Sequence, residues 1–312
     1  MLHQLQNWSG FIKLSHTVFA LPFALASMLV AARETRGWPG WRIFGLILLS
    51  MVSARTCAMA FNRIVDRRFD ALNPRTAQRH LPAGRISLMG AGLMCVLGAG
   101  TFLGSTWALN PLCFALSPVA LFFILFYSLT KRFTDFTHVW LGVALAIAPL
   151  GAWVAVEGRI VFLPELDGTS GLGALRYGAW VPATLALAVV LWLIGFDIIY
   201  ATQDYEFDRK HGLHSLVVRW GPRNALGVAF LSHIFMWFIL VLFGALSGFR
   251  FVYWVGLVLI LALLVFEHFL ARRRDPESVN AAFFQLNAAI SIILLVVIGV
   301  EIVFPWFRLR WY

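Results

Sequence analysis

Four aspartates in two short segments are the residues of this sequence best suited to chemistry. The first segment, FNRIVDRRFD, spaces Asn62, Asp66 and Asp70 at intervals of four. The second, YATQDYEFDRK, places Asp204 and Asp208 four apart. On a helix this spacing aligns side chains on one face, about 6 Å apart along the axis. Because like charges so placed repel each other, the repeated pattern indicates that a cation binds there.

Oxygen ligands without histidine or cysteine are typical of Mg²⁺, which proteins usually hold with one or two carboxylates together with substrate phosphates. Two acidic segments facing each other would therefore suit a diphosphate carrying two metal ions. The alternative is a solvated, salt-bridged loop, because basic side chains lie beside both segments: Arg63, Arg67, Arg68, Arg209 and Lys210.

Two charged residues precede the acidic segments by seven positions, which is two helical turns. Arg55 lies seven residues before Asn62, and Asp197 lies seven before Asp204, with Tyr200 between them. Inside a bilayer such charges cost at least about 2.5–3.5 kcal/mol and normally face a cavity or a partner. We expect them to line the same site; an Arg55–Asp197 structural pair is the alternative.

Further cationic side chains stand near the two segments. Tyr127 and Lys131 are four apart in FYSLTKR, and Arg75 and Arg79 are four apart in NPRTAQRHLPAGR. Arginine binds phosphate oxygens in a bidentate manner, so these residues are candidate diphosphate contacts. Snorkelling of a lysine at a helix end and a general excess of cytoplasmic positive charge would also explain them.

The composition indicates that most of the chain lies in lipid. Of 312 residues, 60% are hydrophobic and only 13% are charged, against about 25% charged in a soluble domain. The net charge of +10 comes from short loops between apolar runs, which favours membrane topology and no nucleic-acid partner. Cys57, Cys95 and Cys113 lie in apolar stretches and are interpreted as small core residues.

Uncharged runs predict an all-α membrane protein with nine transmembrane helices. Because this number is odd, the two termini are expected on opposite sides of the membrane. The run 86–130 is twice the required length, and Asn110-Pro111 offers a turn that divides it. Loops on the N-terminal side carry roughly twice as many Lys and Arg as the others, which places the N-terminus and the acidic segments in the cytoplasm. The remaining predicted spans are 14–32, 41–62, 136–156, 177–196, 224–249, 250–270 and 278–300.

Both acidic motifs together, NxxxDxxxD and DxxxD, with Tyr127-xxx-Lys131 between them, resemble the UbiA superfamily of intramembrane prenyltransferases. The resemblance extends over essentially the whole chain, so 1–312 is expected to be one prenyltransferase domain. It implies a nine-helix bundle around a central cavity in the inner membrane of a bacterium. It also implies Mg²⁺-dependent transfer of a polyprenyl group from its diphosphate to an aromatic acid, most simply 4-hydroxybenzoate in ubiquinone synthesis.

The resemblance also suggests roles for individual residues. The metal and diphosphate positions are matched by Asn62, Asp66, Asp70, Asp204 and Asp208. The diphosphate contacts are matched by Arg79, Tyr127 and Lys131, and Arg75 belongs to the run that follows the first motif. Arg55 matches the position that meets the acceptor carboxylate. Asp197 and Tyr200 match polar cavity residues, and Asp197 is the candidate proton acceptor.

Several alternatives stay open at this point. The opening FIKLSHTVFALPFALA resembles a branch that prenylates 1,4-dihydroxy-6-naphthoate for menaquinone made through futalosine. Haem O synthase shares the superfamily, and a transporter would also carry charges within its spans. Trp306 and Trp311 are predicted to anchor the chain at the membrane interface.

Overall fold

The computed structural model describes residues 17–162, 176–273 and 275–304, and within these ranges the regular structure is helical, with no strand. The long helices are α1 (Thr17–Ala31), α2 (Trp41–Leu72), α3 (Leu88–Leu109), α4 (Pro111–Thr130), α5 (Thr137–Glu157), α6 (Trp180–Ala201), α8 (Leu216–Ser247), α9 (Phe251–Ala271) and α11 (Asn287–Val303). Short helices α7 (Tyr205–Lys210) and α10 (Pro276–Asn280) and a π-helical turn (Ala281–Leu286) lie between them. The all-α prediction is confirmed.

The helices that could span a membrane agree closely with the predicted number. Eight of the described helices are long and apolar enough, and α1 adds a shorter apolar helix. The protein is an integral membrane protein, and many large apolar side chains face outward, where lipid solvates them. The predicted anchors Trp306 and Trp311 lie outside the described residues, as does the start of the first predicted span.

The division of the long apolar run is confirmed at Asn110. This residue ends α3 and caps α4, where its side chain accepts a hydrogen bond from the Cys113 backbone N–H at 2.8 Å. Pro111 follows at the first helical position, which tolerates proline because its missing N–H would be unpaired there. The Asn110 amide also donates to the Val154 carbonyl oxygen on α5, which fixes the turn against its neighbour.

Neighbouring helices pack in chain order, and α1 joins the two halves of the bundle. The pairs α2–α3, α4–α5, α5–α6 and α6–α8 are in contact, while α1 packs on α5 and on α11. Glycines permit close approach at two of these interfaces. A Cβ on Gly98 would lie 2.8 Å from the Cys57 backbone, and one on Gly142 would lie 2.9 Å from the Val190 carbonyl oxygen.

Two helices depart from regular geometry near the acidic segments. Helix α6 ends in a 3₁₀ turn (Thr202–Asp204) before α7 begins, so the chain changes path within the second acidic segment. Helix α8 breaks at Gly221, whose φ of 76° favours glycine, and Pro222 starts the continuing helix. By contrast, α2 runs unbroken for 32 residues, about 48 Å, and carries the first acidic segment past the roughly 30 Å of bilayer hydrocarbon.

Candidate active site

The structure brings the two acidic segments together at one end of the bundle. The segment after α2 reaches the end of α6 directly, because the Asn73 amide donates to Asp204 Oδ1 at 3.0 Å. The Arg75 guanidinium binds the same carboxylate through both Nε, at 2.9 Å from Oδ1, and Nη2. The prediction that both segments lie on one side of the membrane domain therefore agrees with their contacts.

The first acidic segment is helical throughout, because α2 continues ten residues past the end predicted at 62. Asn62 donates to Asp66 Oδ2 at 3.0 Å, which shows that side chains four apart share one face of α2. Asp70, one turn further, is buried and accepts a hydrogen bond from Arg79 Nη1 at 2.6 Å. Asp66 is more open, with 29% of its side chain exposed, and it pairs with Arg132 at 3.1 Å.

The second acidic segment is positioned differently, because Asp204 lies in the 3₁₀ turn and Asp208 lies in α7. Both are buried, with 10% and 5% of their side chains exposed. Asp208 Oδ2 lies 3.7 Å from Lys131 Nζ at the end of α4.

Lys131 links the two segments electrostatically. Burial lowers its pKa, but the carboxylates of Asp208, Asp197, Asp204 and Asp66 outweigh that effect, so its pKa lies above the ordinary value. Lys131 is therefore cationic at neutral pH and lies within range of acids from both segments. Its side chain is 39% exposed, so an incoming anion can reach it.

Arg75 is held by an aromatic ring as well as by a carboxylate. Its guanidinium carbon lies 4.8 Å from the ring centroid of Tyr200, on the same helix as Asp197. Burial lowers the pKa of Arg75, but the interactions with Asp204 and Tyr200 raise it by more, so the net shift of the pKa is upward. Tyr200 thus contacts Arg75, the residue that binds Asp204.

Asp197 pairs with a histidine and not with Arg55. His138 on α5 is completely buried, and its Nδ1 lies 2.6 Å from Asp197 Oδ2 in a hydrogen bond. The Asp197 side chain keeps 20% exposure, so it faces accessible space while His138 lies behind it. Arg55 lies on α2 and Tyr127 lies on α4.

Several participating residues were not among the predicted site residues: Asn73, Arg63, Arg132 and His138. Asn73 is recognisable in retrospect, because its side chain accepts from the Arg75 backbone N–H at 3.0 Å and shapes the turn after α2. Arg63, Arg132 and His138 had no distinguishing sequence signal, since basic residues near helix ends and histidines in apolar helices are common.

The residues present fit Mg²⁺ bound together with phosphate. Asp70 Oδ2 and Asp208 Oδ2 are buried, and neither accepts a hydrogen bond from any residue in the described ranges. Each of these oxygens has only a cation at 3.7 Å, Arg63 Nη1 for Asp70 and Lys131 Nζ for Asp208, and a bound metal ion would replace or share that ion pair. Within those ranges no three Asp, Glu, His or Cys side chains form a cluster able to hold a metal. One or two carboxylates per ion, completed by phosphate oxygens, is the usual arrangement for Mg²⁺.

An all-α bundle with paired aspartate segments at one end of its helices is the architecture of an intramembrane prenyltransferase. The UbiA prenyltransferase family profile matches residues 20–290, and the chain belongs to that family.

Individual relatives agree with this assignment. A 4-hydroxybenzoate octaprenyltransferase of Vibrio campbellii is 28% identical over 279 residues, covering 89% of each chain. One from Coxiella burnetii is 30% identical over 255 residues, covering 81% of each.

Solved structures share the fold. The apo structure of a UbiA homologue from Aeropyrum pernix superposes with a TM-score of 0.77 at 32% identity, covering 92% of this chain and 98% of the other. A UbiA homologue from Archaeoglobus fulgidus, bound to GPP and Mg²⁺, has a TM-score of 0.69 at 20% identity, covering 95% and 99%.

Proposed function

We propose that this protein transfers a polyprenyl group from its diphosphate to an aromatic acid, with Mg²⁺ as cofactor and 4-hydroxybenzoate as the first candidate acceptor. The observation that carries the proposal is the joining of the two acidic segments through Arg75, Asn73 and Lys131. The names of the relatives from Vibrio and Coxiella support the acceptor, and the metal and prenyl diphosphate in the Archaeoglobus homologue support the donor.

The metal and the diphosphate would be held by residues from both segments. Carboxylates of Asp66, Asp70, Asp204 and Asp208 and the amide oxygen of Asn62 are the metal ligands in this proposal. The cations now paired with these carboxylates, Arg75, Arg79 and Lys131, and the phenol of Tyr127 would contact the phosphate oxygens. When bound, Mg²⁺ supplies positive charge that stabilises the departing diphosphate.

The acceptor would lie deeper along the same helices. Arg55 is two turns from Asn62, where its guanidinium would bind the acceptor carboxylate and orient the ring. The bond between the prenyl C1 and the diphosphate oxygen breaks, and a new carbon–carbon bond forms at the ring carbon ortho to the hydroxyl. The ring proton lost in this substitution passes to Asp197, which His138 holds in place from the buried side.

The remaining assignments also belong to the proposal. The chain acts as one prenyltransferase domain in a bacterial inner membrane, with its N-terminus and both acidic segments on the cytoplasmic side, as the loop charges favour. The polyprenyl donor reaches the site from the lipid through a central cavity.

An acceptor competition in membranes tests the proposal. Mg²⁺ and a polyprenyl diphosphate are supplied with equal amounts of 4-hydroxybenzoate and 1,4-dihydroxy-6-naphthoate, and products are identified by mass. Prenylated hydroxybenzoate is the expected product. Prenylated naphthoate would leave the proposed site unchanged but would show that the acceptor is the menaquinone precursor.

Variants of single acids make the test specific for the site. Asp66→Ala and Asp204→Ala should each abolish turnover. Glu206→Ala is the matched control, because Glu206 lies on α7 between Asp204 and Asp208 but is exposed. Wild-type turnover in both aspartate variants would refute the metal assignment, and absence of any Mg²⁺-dependent product would refute the function.

A further inference from the structure

A polar network is buried between α6, α8, α9 and α11, apart from the charged residues of the site. His233 Nδ1 lies 2.9 Å from His268 Nε2 and 3.7 Å from Glu267 Oε2, and His233 Nε2 lies 3.2 Å from the Trp192 carbonyl oxygen. Asn287 completes the network. Glu267 and Asn287 are completely buried. Buried polar groups of this kind fix one arrangement of the surrounding helices, because each lost partner is costly.

Asn287 is the centre of this network. Its Oδ1 accepts a hydrogen bond from Trp192 Nε1 at 2.6 Å, and its Nδ2 donates to Glu267 Oε1 at 2.8 Å. The same amide nitrogen lies 3.0 Å from the Ala282 carbonyl oxygen and 3.3 Å from that of Phe283. The Asn287 side chain therefore connects its own helix α11 to α6 and α9, and it also binds two backbone carbonyl oxygens.

Those two carbonyls belong to the π-helical turn Ala281–Leu286, directly before Asn287. A π-helical turn is rare, and such turns occur frequently at functional sites. Here the Asn287 amide binds two carbonyl oxygens of the turn from outside the backbone ladder. The conformation of the turn is thus tied to a side chain that Trp192 and Glu267 hold in position.

The turn presents Phe283 to the candidate active site. The rings of Phe283 and Tyr200 are stacked, with centroids 4.1 Å apart and planes inclined by 28°. Tyr200 in turn packs beneath the Arg75 guanidinium, whose Nε binds Asp204 Oδ1. A continuous series of contacts runs from Asn287 through two aromatic rings to an arginine and an aspartate of the diphosphate site.

We propose that Asn287 is a positioning residue for the diphosphate site, acting through the π-helical turn and the Phe283–Tyr200 stack on Arg75 and Asp204. The inference rests on the proposed function, because it assigns Arg75 and Asp204 to diphosphate and metal binding. It extends that function to a residue that lies on α11 and touches no substrate.

Direct binding of inorganic pyrophosphate with Mg²⁺ tests the inference, measured by titration calorimetry on the purified full-length protein in detergent. Asn287→Leu removes the amide at the centre of the network and replaces it with a side chain of similar volume. Phe283→Leu removes the ring that stacks on Tyr200 and leaves the hydrogen bonds of the network in place. Both should weaken binding by about three- to tenfold, the range set by loss of one aromatic pair that holds Tyr200 beneath Arg75. Tyr253→Phe is the control, because it removes a buried hydrogen bond, to the Leu240 carbonyl oxygen, elsewhere on α9.

Unchanged pyrophosphate affinity in Asn287→Leu and Phe283→Leu would overturn the inference, even if Asn287→Leu melts at a lower temperature. If Asn287→Leu does not fold, Phe283→Leu decides alone. Asp204→Asn separates the two proposals. If it leaves the affinity unchanged, the diphosphate site itself is wrong. If it abolishes binding while the other variants bind as the wild type does, only the role of Asn287 is wrong.

Discussion

The His138–Asp197 pair gives a prediction whose size follows from its geometry. His138→Phe keeps a ring in a completely buried position but removes the nitrogen that lies 2.6 Å from Asp197 Oδ2. A hydrogen bond to a charged group contributes about 1.5–3 kcal/mol. Because Asp197 keeps 20% exposure and water can replace part of the lost contact, we expect the lower half of that range. This corresponds to a loss of roughly 10- to 50-fold in kcat/KM.

A double-mutant cycle measures whether the two residues act together. Asp197→Asn should lower kcat/KM by about 10²- to 10⁴-fold, as expected for loss of a group that accepts a proton. Once Asp197 is neutral, His138 has no carboxylate to orient. The double variant should therefore be nearly as active as Asp197→Asn alone, with a coupling energy close to the whole His138→Phe effect, about 1.5–2 kcal/mol.

The assay is transfer of a prenyl group to 4-hydroxybenzoate, with the acceptor either unlabelled or deuterated ortho to the hydroxyl. Slower proton removal in His138→Phe should increase the isotope effect on kcat. Multiplicative losses in the double variant, or an isotope effect equal to that of the wild type, would refute the assignment of the pair to proton transfer. Melting temperatures in detergent serve as the control for folding.

Three further perturbations have defined outcomes. Gly195→Ala would place a Cβ 2.1 Å from His233 Nε2, so we expect a destabilisation of about 1–3 kcal/mol, seen as a lower melting temperature. Arg75→Lys keeps the charge but loses the two-point contact with Asp204, so pyrophosphate affinity should fall about tenfold in calorimetry. Burial raises the pKa of Asp135, but hydrogen bonds from an arginine and a histidine lower it more, so its net pKa lies below the ordinary 3.8. The ionised Asp135 carboxylate contributes its full stability above pH 3.8, and this contribution is lost as the pH falls through the lowered pKa. The melting temperature of Asp135→Asn should therefore lack this part of the decrease in acid.

The sequence predicted the helices well because membrane insertion imposes a simple rule on length and charge. The turn at Asn110 was recognisable from Pro111, since proline disfavours helix continuation on its N-terminal side. Helix α2 continued ten residues past the predicted end at 62, because the acidic segment is itself helical. The break at Gly221 and the π-helical turn were not predicted, as both depend on tertiary contacts.

The sequence indicated which charged residues belong to the site better than it indicated which side chain each of them binds. The charged residues were identified by spacing along one helix, but their ion pairs mostly join different elements, with Arg63–Asp70 inside α2 as the exception. Asp197 pairs with His138, where the alternative from the sequence was Arg55, because α5 packs against α6 at that level. Asn73 and Arg132 reach their aspartates only through the turns that follow α2 and α4.

The pairing of every motif aspartate with a basic side chain has a consequence for how the donor arrives. Four carboxylates lie beside five cations, namely Arg63, Arg75, Arg79, Lys131 and Arg132. The formal charges of these nine side chains sum to only +1, so the carboxylates cancel most of the attraction that their paired cations would exert on an anion. A diphosphate that entered the site would therefore compete with these carboxylates for their cations, and it would gain most of its attraction only at contact distance.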